Sequence, residues 1–93
     1  MAVVHVPGKK AGRIMMYTLS TCVWCKKTKQ FLKDLGVEYD YLDVDQLSPP
    51  EREKAMDMIR QWNPAGSFPT MVVNDSRCIV GFQEEEIRGA LKL

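Results

Sequence analysis

The sequence predicts an α/β domain in the order β-α-β-α-β-β-α, with a four-stranded mixed sheet flanked by three helices. Three observations carry that expectation. Apolar runs of strand length, rich in β-branched and aromatic residues, alternate with segments whose apolar residues recur at helical spacing. The first two strand-like runs are joined by such a helical segment, which predicts a parallel pair with a right-handed crossover. The last two are separated only by Asn74-Asp75-Ser76, which predicts a hairpin and an antiparallel pair. At 93 residues and 45% hydrophobic content the chain can close one core, and no second domain fits.

Residues 1–12 join Ala2, Val3, Val4 and Val6 to Pro7-Gly8-Lys9-Lys10-Ala11-Gly12, an apolar patch followed by turn-forming and basic residues. They read as a mobile leader ahead of a domain at residues 13–93, with an edge strand at residues 3–6 as the alternative. His5, with no cysteine or carboxylate near it in sequence, reads as an incidental surface residue. The first strand is placed at residues 13–18 and passes through Leu19-Ser20-Thr21 into a helix. Its stripe is Cys25, Thr28, Phe31/Leu32 and Leu35, and Gly36 stops it. Lys26, Lys27, Lys29 and Lys33 are assigned to the solvent face of this helix. Lys26 and Lys27 are either a solvated face or a positive potential that draws acidic partners and anionic thiols toward Cys22. Residues 37–44 form the second strand.

Ser48-Pro49-Pro50-Glu51 reads as a helix start, with Ser48 as cap, Pro49 at the first position and Glu51 completing a capping box. Ala55, Met56, Ile59 and Trp62 give its buried stripe, and Asn63-Pro64 ends it. Strands at residues 70–73 and 77–80 make the hairpin, with Cys78 an inert thiol in mid-strand. Gln83-Glu84-Glu85-Glu86 opens the last helix with an acidic turn, Ile87, Ala90 and Leu91 face the core, and Arg88 and Lys92 lie toward its end.

The chemistry concentrates in Cys22-Val23-Trp24-Cys25, at the strand-to-helix turn. Ser20 or Thr21 can cap the helix, leaving Cys22 in the first turn, where free N–H groups and the positive dipole end stabilise a thiolate. Cys25, at i+3, is close enough to attack a disulfide formed by Cys22. Lowering a thiol from a pKa near 8.5 to about 6 raises its thiolate fraction at pH 7 roughly 30-fold, while nucleophilicity falls by about 10- to 20-fold. The net gain lies in leaving-group quality, so the pair reads as an electron shuttle. Trp24, between two reactive thiols, reads as an exposed contact for a docking partner. Zinc ligation, with Cys78 and His5 as further ligands, lacks the second cysteine pair of a structural site, so no metal is assigned. An odd cysteine count and no secretory segment argue against a stapled scaffold.

Thirteen basic and twelve acidic residues give a net charge of +1, which favours neither nucleic acid nor an anionic membrane as partner. No run is long and apolar enough to span a bilayer, and the N-terminus lacks the pattern of a signal peptide. The expectation is a cytoplasmic monomer working on proteins or small thiols.

Residues 13–93 resemble the glutaredoxins, of thioredoxin-like fold. The likeness rests on Met16-Tyr17-Thr18, Ser20-Thr21-Cys22-Val23-Trp24-Cys25, Ser67-Phe68-Pro69 in place of the family's Thr-Val-Pro, and Val80-Gly81-Phe82 at its glycine motif. It implies a thiol-disulfide oxidoreductase, with Cys22 as nucleophile and Cys25 as resolving thiol. It also implies a cis peptide at Phe68-Pro69 that turns the Phe68 backbone toward an extended substrate. The N–H groups of Phe82 and Gln83 resemble glutathione-binding elements, so Trp24, Phe68, Pro69, Gly81, Phe82 and Gln83 make up the implied substrate site. No cofactor is implied as tightly bound, and glutathione enters as a co-substrate. Leu19 stands where many glutaredoxins have a lysine, Trp24 replaces tyrosine, Val23 replaces proline, and Phe82-Gln83 replaces Cys-Asp. Val23 and Gly81-Phe82 resemble instead the NrdH-type redoxins, reduced by thioredoxin reductase. The implied partners are thus a disulfide-containing client, ribonucleotide reductase among them, and either glutathione or thioredoxin reductase as electron source. A cluster-binding role, with an iron-sulfur centre shared between protomers, is the remaining alternative carried by the likeness.

Overall fold

In the computed structural model, which describes residues 2–93, the sheet is built outward from β2 (Ile14–Thr18), a strand of large apolar residues that is almost wholly buried. Strands β1 (Val4–Val6), β3 (Tyr39–Asp43), β4 (Thr70–Val73) and β5 (Arg77–Val80) complete it in the order β1-β3-β2-β4-β5. Only β2 and β3 run parallel, Met15 opposite Asp40 and Thr18 opposite Asp43. The β1/β3, β2/β4 and β4/β5 pairs are antiparallel. The parallel pair follows from the helical crossover and the final antiparallel pair from its three-residue turn, as the sequence predicts.

Side chains alternate across β2, and each set meets its own helices. Ile14 and Met16 pack with Leu32 of α1 (Val23–Leu35) and with Ile87 and Leu91 of α3 (Glu84–Leu91). Tyr17 and its neighbour Leu42 pack with Ala55 and Ile59 of α2 (Pro49–Trp62) on the other face. The result is three layers, α1 and α3 on one side of the sheet and α2 on the other. Among the described residues, no helix is long and apolar enough to cross a membrane.

The expected four strands become five. The alternative of an edge strand at residues 3–6 holds over the mobile leader: Val4–Val6 forms β1, with His5 opposite Asp40; Met1, the first residue of that leader, lies outside the described residues. Val3 and Val4 are exposed, while Val6 and Ala11 pack against the core, and the backbone beyond the strand adds its own bonds. The Lys9 N–H donates to Gly36 O at 2.7 Å, and the Glu38 N–H donates to Lys9 O at 2.9 Å. Gly8 lies so flat against this connection that a Cβ there would stand 2.7 Å from the carbonyl carbon of Val37.

The helix starts differ in detail from the sequence expectation. Neither Ser20 nor Thr21 caps α1; Cys22 itself is the cap residue. Ser48 precedes α2 as expected, but its hydroxyl pairs with the Glu51 carboxylate at 3.2 Å instead of capping the backbone. The strand expected at residues 37–44 stops at Asp43, and Val44–Gln46 winds into a short 3-10 turn. Gly36 ends α1 with φ 72°, a left-handed conformation suited to glycine.

Candidate active site

The pairing register collects three turns at one end of the sheet. Tyr17 lies opposite Thr70, and Thr70 opposite Val80. Residues 19–22 leaving β2, residues 67–69 entering β4 and residues 81–83 leaving β5 therefore emerge together. The Gly81 N–H donates to Pro69 O at 2.9 Å, tying two of them. Phe68-Pro69 is cis, as the resemblance implies, and Gly81 has φ 80°, a conformation that favours glycine.

At the third turn the two thiols are held unequally. Cys22, in extended backbone conformation, accepts the Cys25 N–H on its own Sγ at 3.2 Å, so the sulfur takes the place of a capping oxygen. Its N–H donates to Leu19 O, and its carbonyl accepts from the Lys26 N–H, each at 3.1 Å. All three cysteines are free, and Cys22 keeps access to solvent. Cys25 has none. Burial, followed by the hydrogen bond with Cys22, pushes the Cys25 thiol up to about 12, against smaller lowering effects of a Leu19 backbone hydrogen bond and the Lys29 charge. One sulfur is open and receives a donor; its neighbour is protonated and waits.

Aromatic side chains extend this surface. Trp24 is 56% exposed and Val23 61%. The Trp24 ring lies 6.4 Å from that of Phe82, which meets Phe31 edge-on at 5.6 Å. Lys27 sits over Trp24 at 4.7 Å and Arg88 over Phe31 at 5.4 Å. Phe68 is half-buried against the α2-side core. Gln83 precedes α3, whose first turn is Glu84, Glu85 and Glu86. The structure thus gathers Trp24 and Phe82 in one patch beside Cys22, and ties Pro69 to Gly81 at the same end. His5 and Cys78 lie elsewhere. His5 hydrogen-bonds Asp40 at 2.7 Å on the edge strand, and Cys78, pushed up by burial, stands in mid-β5. Among the described residues, no three His, Cys, Asp or Glu side chains are grouped to hold a metal ion.

Two polar clusters behind the thiols were not read from the sequence. Asp45 accepts the Ser20 N–H at 2.9 Å and the Ser20 hydroxyl, fixing the segment just before Cys22. Those bonds, from the hydroxyl first and then the amide, hold its carboxyl below the usual range. Asp43 accepts the Thr18 hydroxyl at 2.6 Å and pairs with Lys29 at 3.1 Å. Lys29 is therefore not on the solvent face; it lies largely covered, over the Tyr41 ring at 3.9 Å. The available signal was Asp43-Val44-Asp45, two carboxylates closing a strand at the sheet end that carries the cysteines.

Comparison with known proteins agrees with this geometry. The family model described as glutaredoxin matches residues 14–78. Among solved structures, a glutaredoxin from Methanosarcina mazei Go1 is 53% identical with a TM-score of 0.90, covering 98% of this chain and 88% of its own. Methanoredoxin from Methanosarcina acetivorans is 51% identical with a TM-score of 0.88, covering 92% and 90%. NrdH-redoxin from Escherichia coli, a glutaredoxin-like protein described as having a thioredoxin-like activity profile, is 25% identical with a TM-score of 0.64, covering 83% and 92%. With a Cys22-Cys25 pair at the first helix of a thioredoxin-like fold, this chain belongs to the glutaredoxin family of redox proteins.

Proposed function

We propose that the protein is a dithiol reductase of protein disulfides and glutathione mixed disulfides, acting in the cytoplasm as a monomer without a tightly bound cofactor. The observation that carries this reading is the inequality of the two sulfurs: Cys22 is accessible and accepts the Cys25 amide, whereas Cys25 is buried, which pushes its thiol up. Cys22 is the nucleophile. Its thiolate attacks one sulfur of the substrate disulfide, a mixed disulfide forms, and the other substrate sulfur leaves as a thiolate. Cys25 then gives up its proton and attacks Cys22 Sγ. The second substrate thiolate leaves, two electrons have passed to the substrate, and a Cys22–Cys25 disulfide remains. Trp24, Phe68, Pro69, Gly81, Phe82 and Gln83 form the substrate-binding rim, with the exposed Trp24 as its apolar anchor.

A second reading concerns the electron donor. In it, thioredoxin reductase replaces glutathione, as in NrdH-type redoxins, with a client such as ribonucleotide reductase. Leu19 supplies no cation beside Cys22, and Glu84, Glu85 and Glu86 place three carboxylates where an incoming glutathione carboxylate would meet the start of α3. Both points support this donor. The test is turnover of a protein disulfide with glutathione plus glutathione reductase, and separately with thioredoxin reductase. Activity with one alone assigns the donor. Cys22→Ser abolishes turnover in either assay, while Cys25→Ser accumulates a mixed disulfide visible by mass; full activity of Cys22→Ser overturns the dithiol assignment.

A further inference from the structure

The resolving step poses a difficulty. A sulfur with no solvent contact and a thiol pushed up to about 12 must become a nucleophile. Helix α1 contains an answer one turn further on. Lys29 stands at i+4 from Cys25, a spacing that brings Cβ atoms to about 5–6 Å on one helix face. Unlike Lys26 and Lys27 it is not in water; its side chain is 20% exposed and that of its partner Asp43 22%. Two contacts fix it, and a third fixes its partner. Asp43 holds the ammonium at 3.1 Å, the Tyr41 ring lies 3.9 Å beneath it, and Asp43 is itself fixed by the buried Thr18 hydroxyl at 2.6 Å.

We propose that Lys29, held in place by Asp43 and Tyr41, promotes the resolving step by stabilising negative charge on Cys25 as that sulfur attacks Cys22. The proposal rests on the dithiol reading above. The new bond joins Cys25 Sγ to Cys22 Sγ, the bond from Cys22 to the substrate sulfur breaks with its electron pair leaving on that sulfur, and the proton lost by Cys25 ends on the departing thiol. Cys22 and Lys29 are the titratable groups of α1 that act on Cys25. Strand β3 contributes Asp43 and Tyr41, which act through Lys29. Asp43 is a positioning residue here, because its own charge opposes the thiolate.

Stopped-flow oxidation of the reduced protein by dithiobis(nitrobenzoate), in a Cys78→Ser background, separates the two events. The first release of chromophore depends on reagent concentration and reports Cys22; the second does not and reports Cys25. A loss of about one unit in thiol acidity, corrected for the rise in nucleophilicity with pKa, gives Lys29→Met a second phase about three- to tenfold slower at pH 7. Its first phase stays within about twofold of the parent, because one surface-near charge shift of that size acts weakly on the partly exposed Cys22. Lys29→Arg restores most of the second rate. Lys29→Gln replaces Lys29→Met if the latter melts below the assay temperature. The proposal is overturned by a second phase unchanged in Lys29→Met or by an arginine variant as slow as the methionine one. Absence of a second release in the parent protein itself would instead defeat the dithiol reading.

Discussion

Where β2 begins, polar groups sew the chain ends of the sheet to one another; where β2 stops, the turns are tied as well, but an apolar surface stands open to water beside the thiols. At the first end Arg13 and Asn74 exchange hydrogen bonds, with the Arg13 N–H donating to Asn74 Oδ1 at 2.9 Å and the Asn74 N–H to Arg13 O at 2.7 Å. Arg13 also pairs with Asp75, and His5 with Asp40 and Glu38. The Gly8–Lys9 arm closes the gap beside Gly36. At the opposite end, Val23 and Trp24 stand in water beside a half-buried thiol. Polar groups that satisfy each other need no partner, whereas an exposed indole and valine lose contact with water only when something docks. The difference separates an end that fixes the fold from an end that receives a substrate, and it can be broken from either side.

The largest expected effect is at the sewn end. Gly8→Ala sets a methyl group against the Val37 carbonyl carbon at 2.7 Å and the Glu38 nitrogen at 2.8 Å, both backbone atoms that cannot swing away. Overpacking of this kind costs about 1–3 kcal/mol. Thermal or urea unfolding should register that loss, while the rate of disulfide reduction by the folded protein stays near the parent value. A variant that loses activity but not stability would show that the arm serves the site.

Next comes Trp24→Ala at the open end, with the opposite signature. The indole covers part of Phe82 and carries Lys27 over its face, but it contributes little burial to the core. Removal of an aromatic anchor should lower kcat/KM for a protein disulfide by about 5- to 30-fold, equivalent to about 1–2 kcal/mol, with a small-molecule disulfide much less affected. The melting temperature should barely move. Equal losses for protein and small substrates would assign Trp24 to the thiol chemistry instead of docking.

The same division explains what was legible in the sequence. Periodicity and turn composition located the three helices and four strands, because those elements are written in residues a few positions apart: Cys25, Thr28 and Leu32 on α1, or Ala55 and Ile59 on α2. The dithiol at a strand-to-helix junction was legible for the same reason. Strand β1 was legible only as the alternative to a mobile leader, since Val3 and Val4 remain exposed and the approach of Gly8 to residues 36–38 leaves no local pattern. The cap of α1 was misread at Ser20 and Thr21 because Ser20 is already engaged by Asp45, 25 residues away in sequence. Lys29 looked like its solvent-facing neighbours until β3 brought Asp43 and Tyr41 beneath it.

The smallest effect belongs to Asp45, and it appears only in acid. Its carboxyl is held below the ordinary range, chiefly by the Ser20 hydroxyl and then by the Ser20 amide, with burial opposing. A carboxylate depressed in the folded state adds stability above the unfolded aspartate value near about 4, and that contribution is lost as pH falls through its own lower value. Unfolding measured from pH 7 downward should therefore show a difference between parent and Asp45→Asn that is constant at neutral pH and shrinks below about pH 4. The bonds lie near solvent, so the difference is expected to be modest. Because they clamp the segment that delivers Cys22, the same acid window should bring faster hydrogen exchange at the Ser20 amide in the parent protein, and Asp45→Asn should show that faster exchange at every pH. A Ser20 amide equally protected in both proteins across the range would show that the turn is held by the Cys22 N–H bond to Leu19 O alone, and that the open end owes its geometry to the helix and not to the loop after β3.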